Sequence, residues 1–119
     1  MLDKMEHITV GNKEYPVTFT LNVMESIQDK YGSFDKWLEK VSIDEPRVSD
    51  ITWLFQEFIN EGIDIENEDR DVKMPKQTHL QVGRIITKLG MAKAIQLIWK
   101  LMEDSAPENE EDPNLMANQ

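Results

Sequence analysis

Carboxylates are the most abundant side chains in this sequence that could do chemistry. The chain has 119 residues with 23 Asp and Glu against 13 Lys and Arg, so its formal net charge is -10. Residues 64–75 suggest a calcium loop, because alternating carboxylates can chelate that ion. However, Asp69 stands at the sixth position, where glycine is required, and Pro75 at the twelfth, where a bidentate Glu belongs. The spacing therefore argues against a calcium site.

Other reactive groups are absent from the sequence or badly spaced. The chain has no Cys, which excludes a thiolate ligand or nucleophile, and His7 and His79 lie far apart with no second ligand one helical turn away. We find no Gly-x-Ser-x-Gly elbow, no glycine-rich phosphate loop and no dinucleotide fingerprint in the sequence. We therefore expect a protein that is not an enzyme and that uses no metal and no cofactor.

The positive charges are concentrated in one segment. Residues 72–102 contain no Asp or Glu. They carry Lys73, Lys76, Arg84, Lys88, Lys93 and Lys100. These cations are either solvated edges of two helices whose acidic neighbours lie elsewhere in the fold, or a docking face for the acidic loop or tail of an identical neighbour. The second interpretation predicts a heterologous contact that closes into a ring or extends as a filament.

Length and composition predict one globular domain over residues 1–103. A hydrophobic share of 39% is sufficient for a core, whereas residues 104–119 are acidic, interrupted by proline and expected to form a flexible tail. The absence of Cys fits the cytoplasm. No apolar stretch approaches the roughly 20 residues that span a bilayer, and residues 1–7 lack the features of a secretion signal. We therefore expect no membrane association.

The apolar pattern predicts an α+β fold that is mainly α. Residues 7–20 read as a β-hairpin with its turn at Gly11 and Asn12. The apolar side of this hairpin is expected to consist of Ile8, Val10, Val17 and Phe19. Helical periodicity then predicts five helices, at residues 22–31, 34–42, 50–61, 78–89 and 91–103.

Cap residues set the expected ends of these helices. Asn22, with Glu25 three residues later, has the spacing of an N-cap, and Gly32 is suited to end the same helix. Gly62 is expected to end the third helix. The acidic residues 61–71 are then expected to form a solvated connecting loop.

The predicted helix 91–103 is apolar over well over half of its circumference. Only Lys93, Gln96 and Lys100 form a polar strip, although a surface helix needs only about a third of its girth to be apolar. Either this helix is central to the fold, or another polypeptide covers part of it. Trp53 lies off the apolar stripe of its own helix, so it is either covered by a neighbouring element or marks a partner surface.

These features define a set of residues expected at a partner surface. They are Trp53, Arg84, Lys88, Lys93, Leu97, Trp99, Lys100 and Leu101. The helical pair 78–103, joined at Gly90, also permits a small regulatory protein that contacts DNA. Nucleic acid is the less favoured partner, because the second helix has few basic residues and the net charge repels phosphate. Net charge alone supports a third hypothesis, an inhibitor that mimics nucleic acid.

The order of these features resembles that of tail assembly chaperones of long-tailed bacteriophages and prophages. The segment from Ile8 to Gly32, a hairpin that leads directly into a helix with an Asn at its start, looks like the opening of these proteins. The likeness continues through a short Phe/Trp helix, an aromatic helix, an acidic loop, a final helical pair and an acidic Glu-Glu-Asp-Pro-Asn tail.

The resemblance implies a non-enzymatic function. It implies self-association into rings or filaments and binding to the tape measure protein, a very long and largely helical chain. The chaperone would keep this client soluble until tail tube subunits polymerise around it, so the tail tube protein is a further expected partner. The resemblance also implies a place in the cytoplasm of the bacterial host and absence from the mature virion.

Overall fold

The computed structural model describes residues 5–42 and 47–105. Two antiparallel strands, β1 (Met5–Val10) and β2 (Lys13–Thr18), precede all of the helices. The helices are α1 (Leu21–Tyr31), α2 (Phe34–Ser42), α3 (Val48–Asn67), α4 (His79–Leu89) and α5 (Met91–Ser105). The predicted class, α+β and mainly α, is confirmed. Helix α5 runs beyond the predicted end at residue 103, and the rest of the predicted tail, residues 106–119, lies outside the described residues.

The β-hairpin turns where the sequence predicts it, but its strands span residues 5–18 rather than 7–20. Val10 pairs with Lys13 across the turn, and Gly11 adopts a φ of 66°, in the left-handed region that glycine tolerates best. The apolar side of the hairpin is buried as expected, in the residues Ile8, Val10, Val17 and Phe19. The hairpin is therefore held by packing against helices, as a two-stranded sheet needs to be.

Helix α1 begins one position before its predicted start. Thr20 is the N-cap, and its hydroxyl oxygen accepts hydrogen bonds from the backbone N–H groups of Asn22 and Val23 at 3.2 and 3.5 Å. The same hydroxyl donates to the Glu61 carboxylate at 2.6 Å, and the Asn22 amide donates to it at 3.1 Å. The predicted cap at Asn22 is wrong. Gly32 ends the helix with a φ of 93°, as expected.

Helix α3 does not end at Gly62, as the sequence predicted, but continues to Asn67. Gly62 is buried inside the helix, where a Cβ would lie 2.8 Å from the Pro16 carbonyl oxygen and 2.9 Å from the carbonyl carbon. The glycine is therefore present because the helix approaches the backbone of β2 closely. Gly62 keeps a helical backbone and lacks the left-handed φ of a glycine that ends a helix, so it does not act as a C-cap.

The chain then returns along α3 through a connecting segment, residues 68–78, that begins with a turn. The Asn67 side chain exchanges two hydrogen bonds with the Met74 backbone, both 2.9 Å, and Asn60 does the same with Gln77 at 2.8 and 3.0 Å. The predicted acidic loop 61–71 is thus wrong for residues 61–67, which are helical, and the side-chain amides fix the chain beyond it, at Met74 and Gln77. Thr78 then starts α4 through a reciprocal capping box with Gln81.

Helix α3 is the centre of the hydrophobic core. It packs against β2, α1, α4 and α5, and its apolar face is almost completely buried. Phe58 meets Phe19 of the N-terminal segment with ring centroids 5.6 Å apart. The buried apolar side chains of this helix are those of Ile51, Leu54, Phe55, Phe58, Ile59 and Ile63.

Replacing Gly62 with alanine tests the close approach of α3 to β2. Alanine has the better helix propensity by about 1 kcal/mol. The added methyl group would nevertheless meet the Pro16 backbone, so we expect Gly62→Ala to lower the free energy of unfolding by about 1 to 3 kcal/mol. Urea denaturation followed by circular dichroism measures this change.

Gly83 provides the matched control, because it also lies inside a helix but has no atom within 4 Å of its Cβ position. We expect Gly83→Ala to raise the free energy of unfolding by about 0.5 to 1 kcal/mol through propensity alone. Equal effects of the two substitutions would contradict a special close contact at Gly62.

Candidate functional site

The fold itself covers most of the apolar surface of α5. Ala94, Ile98, Leu101 and Met102 are buried, and Met91, Ile95 and Leu97 are partly buried against the core. For most of its apolar surface, the fold therefore supports the first of the two interpretations, in which α5 is central to the fold. The wheel counts apolar side chains but not neighbours, and α5 has neighbours in α3, in α4 and in Trp37 of α2.

An exposed strip remains on α5, which we call the α5 surface. It consists of Ala92, Lys93, Gln96, Trp99, Lys100 and Glu103. Trp99 is 38% exposed, and its ring lies 5.9 Å from that of Trp37, which is only 1% exposed. Trp99 is thus an aromatic side chain that is supported from below and open above, beside the predicted polar strip.

The two lysines of the α5 surface differ in their partners. Lys100 forms an ion pair with Glu6 of β1 at 3.2 Å, so the acidic neighbour that the sequence could not place lies in the hairpin. Lys93 forms no ion pair with any residue in the described ranges 5–42 and 47–105. Lys93 therefore carries the uncompensated positive charge of this strip.

A second surface lies between the hairpin turn and α4, and we call it the basic groove. Its volume is about 250 Å³. It is lined by Val10, Gly11, Asn12, Lys13, Tyr15, Gln77, Gln81, Arg84, Ile85 and Lys88. The side chains of Lys13, Arg84 and Lys88 are exposed, whereas Val10 and Ile85 are buried beneath them. Cations around an apolar floor can bind a carboxylate-bearing chain.

The remaining cations of segment 72–102 have partners within the fold. Lys76 pairs with Asp64 of α3 at 3.2 Å. The Lys73 ammonium donates to the backbone carbonyl oxygens of Asn67 and Arg70 at 2.5 and 2.7 Å, near the C-terminal end of α3. Lys76 therefore has an acidic neighbour elsewhere in the fold, as the first interpretation expected, but neither lysine lies on a helix.

Trp53 is covered by a neighbouring element rather than fully open. Its ring meets Tyr31 of α1 edge-on, with centroids 5.9 Å apart and an angle of 78°. The Lys30 ammonium lies 5.1 Å from the Trp53 ring centroid, and the Tyr31 hydroxyl donates to the Asp50 carboxylate at 2.6 Å. Trp53 therefore joins α1 to the start of α3.

The predicted partner residues fall into separate places. Arg84 and Lys88 lie in the basic groove, whereas Lys93, Trp99 and Lys100 lie on the α5 surface. Leu101 is fully buried, so its prediction as a partner contact is wrong, since it belongs to the core. Leu97 and Trp53 are partly buried.

Sequence reasoning missed two residues that shape these surfaces. Lys13 joins Arg84 in the groove from more than 70 positions away, and Trp37 supports Trp99 from α2. Trp37 lies in the short predicted helix 34–42, and no local signal links it to α5. A pairing of the hairpin turn with α4 has no sequence signature either.

Metal and membrane chemistry can be examined within the described part of the chain. Among residues 5–42 and 47–105, no group of three or more His, Asp and Glu side chains is placed to hold a metal ion. No helix in these ranges has both the length and the apolarity needed to cross a bilayer.

Comparisons with family models, curated proteins and solved structures give no match to this chain.

The contact between Tyr31 and Asp50 predicts a pH dependence of stability. Burial raises the pKa of Tyr31 above its ordinary 10.0, and the hydrogen bond to Asp50 and the charge of that carboxylate raise it further. As the pH rises past about 10, the unfolded chain loses this proton first, so the stabilisation is complete below that pH and decreases above it.

Replacing Tyr31 with phenylalanine should remove both the stabilising hydrogen bond to Asp50 and the loss of stability at high pH. We expect Tyr31→Phe to lower the free energy of unfolding by about 1 kcal/mol at neutral pH and to weaken the further loss above about pH 10. Urea denaturation at a series of pH values measures both. Tyr15→Phe is the control, because the Tyr15 hydroxyl forms no hydrogen bond with the described residues. The same alkaline loss in Tyr31→Phe and the parent would contradict the assignment.

Proposed function

We propose that this chain is a non-enzymatic tail assembly chaperone of a long-tailed bacteriophage or prophage. In this proposal it self-associates and holds the tape measure protein in the host cytoplasm until tail tube subunits polymerise, and it does not remain in the mature virion. The order of hairpin, helices and acidic tail supports the family assignment. The surface chemistry supports binding of a protein client.

The observation that carries this proposal is the placement of Trp99 on the α5 surface. Trp99 is 38% exposed and rests on the buried Trp37 ring, so its position is largely fixed before a partner binds. Exposed aromatic side chains with an ordered position are typical anchors of protein interfaces. The α5 surface could therefore hold an apolar side chain of a client at little ordering cost.

The polar side chains of the α5 surface favour an amphipathic helical client. Lys93 and Gln96 lie on the exposed side of the same helix, one of them charged and without an ion-pair partner in the described residues. A helix that presents an apolar side chain flanked by a carboxylate would match this strip when it packs alongside α5. The tape measure protein is expected to be a long, largely helical chain that offers such segments repeatedly.

The other large exposed apolar side chains are dispersed over the fold. Leu21 is on α1, Val48 on α3, Val72 in the connecting segment 68–78 and Leu80 on α4. Isolated apolar side chains on a surface are ordinary and do not by themselves mark an interface. Trp99 differs from them because its ring is supported by the ring of Trp37.

Substitution of Trp99 tests the client surface. Covering the exposed part of this ring contributes on the order of 2 kcal/mol, so Trp99→Ala is expected to weaken binding of a tape measure segment roughly 30-fold. Fluorescence anisotropy with a labelled segment measures the dissociation constant. Because Trp99→Ala also uncovers Trp37, Lys93→Glu provides a second variant that leaves the aromatic pair in place, and it should weaken binding to an acidic segment.

Leu21→Ala is the matched control for lost apolar surface. Leu21 is 72% exposed and lies on α1, away from the α5 surface, so binding should stay at the parent level. Unchanged affinity in both Trp99→Ala and Lys93→Glu would exclude the α5 surface as the client site.

Self-association is a separate part of the proposal and needs its own measurement. Light scattering should give a mass several times 13.9 kDa at tens of micromolar protein. A strictly monomeric protein that also fails to bind the tape measure segment would overturn the chaperone proposal as a whole.

The three cations of the basic groove favour a second candidate, a small DNA-binding regulator. Arg84 and Lys88 of α4 would then contact DNA phosphates. Binding to duplex DNA should fall steeply as the salt concentration rises, and it should also fall in the Arg84→Ala and Lys88→Ala variants. This candidate has weaker support, because the cations of α5 do not line the groove and Lys100 already pairs with Glu6. Filter binding at low salt decides between the two.

A further inference from the structure

The basic groove has a positive charge that the described structure does not compensate. Lys13, Arg84 and Lys88 form no ion pair with residues 5–42 or 47–105, and no carboxylate lines the groove. Glu14 follows Lys13 but lines a neighbouring hollow with Met74. In a chain with a net charge of -10, three cations around one groove are well placed to attract a negative segment.

The spacing of these cations fits an extended chain. Arg84 and Lys88 are four residues apart on α4, so their stems lie about 6 Å apart on one face. Alternate side chains of an extended strand lie about 6.7 Å apart on one side. A segment with carboxylates at alternate positions could therefore present one to Arg84 and the next to Lys88.

The sequence after α5 contains such a segment. Residues 108–112 read Glu-Asn-Glu-Glu-Asp, so Glu108, Glu110 and Asp112 stand at alternate positions, and no Lys or Arg occurs from residue 104 to residue 119. Pro107 and Pro113 flank the run, and proline favours extended backbone in the residue before it. These residues lie outside the described ranges, so the argument uses their sequence alone.

We propose that the basic groove binds the acidic segment 108–112 of the same copy of the chain. Glu108, Glu110 and Asp112 then face the three groove cations, and the side-chain amides of Asn12 and Gln81 lie beside the bound backbone. This assignment is independent of the client, since it concerns a surface apart from the α5 surface.

The weakness of exposed ion pairs decides between the same copy and a second one. Pairs between solvent-exposed Lys or Arg and carboxylates contribute little each, so a few of them do not hold two free molecules together at micromolar concentration. A short tether provides an effective concentration in the millimolar range. Asp112 is seven residues beyond Ser105, and a fully extended chain of that length spans about 24 Å.

Paramagnetic relaxation in the full-length protein tests the contact. The chain has no Cys, so Asn114→Cys offers a single site for a nitroxide label beside the acidic segment. We expect the amide signals of Gly11, Asn12, Arg84 and Lys88 to broaden at about 0.01 M salt. They should recover at about 1 M salt, where the screening length falls to about 3 Å.

Charge variants with matched controls make the test specific. Glu108→Gln with Glu110→Gln and Asp112→Asn should abolish the broadening, whereas Glu103→Gln with Asp104→Asn and Glu111→Gln, which removes as much charge outside the alternating set, should retain it. Arg84→Glu with Lys88→Glu should also abolish it. Lys36→Glu with Lys40→Glu on α2 changes the net charge equally and should leave it intact.

Four outcomes would overturn the inference. They are broadening that is absent from the groove, broadening that survives removal of Glu108, Glu110 and Asp112, and broadening that appears only when label and isotope are on different copies. The fourth is a groove that ignores the acidic segment and whose signals shift with duplex DNA, which would assign it to nucleic acid.

Discussion

The close approach of α3 to β2 is the constraint on which the rest of the fold depends. A Cβ on Gly62 would lie 2.8 Å from the Pro16 carbonyl oxygen, so only glycine permits this separation between helix and strand. The approach sets the depth at which Phe58 meets Phe19, four residues before Gly62 along the helix. It also sets the positions of Glu61 at the start of α1 and Glu66 beside His7. Helix α3 thus fixes the positions of both ends of the hairpin and of the first turn of α1.

Local signals in the sequence were sufficient for the type and order of the elements. The hairpin turn, the ends of α1 and α4 at glycine and the five helical periodicities all depend on residues close together in the chain. The errors arose where distant residues decide. A glycine such as Gly62 looks in the sequence like a C-cap, and the acidic residues around it look like a loop. The partners of Glu61 and Glu66 lie 39 to 59 positions away, so no local pattern shows that these carboxylates are paired. Those partners turn a repulsive run into the end of a helix.

The candidate surfaces were predictable to the same degree. The periodicity of α5 correctly placed Lys93 and Lys100 on its polar strip, because the helix itself sets their direction. It could not separate Leu101, which is fully buried, from Trp99, which is partly open, since that difference depends on how Trp37 and α3 cover the helix. The basic groove needs the hairpin turn beside α4, so Arg84 and Lys88 were recognisable as cations but Lys13 was not recognisable as their neighbour.

The separation of two surfaces has a physical consequence for any binding function. Contact at Trp99 depends on burial of apolar surface, which salt does not screen. Contact at Lys13, Arg84 and Lys88 depends on the attraction between exposed charges, which salt screens. Binding at the two surfaces would therefore respond differently to salt. Because Trp99 is already positioned by Trp37, binding there loses little side-chain entropy. The fold thus combines a preformed, partly exposed aromatic side chain with a separate, solvent-exposed group of cations.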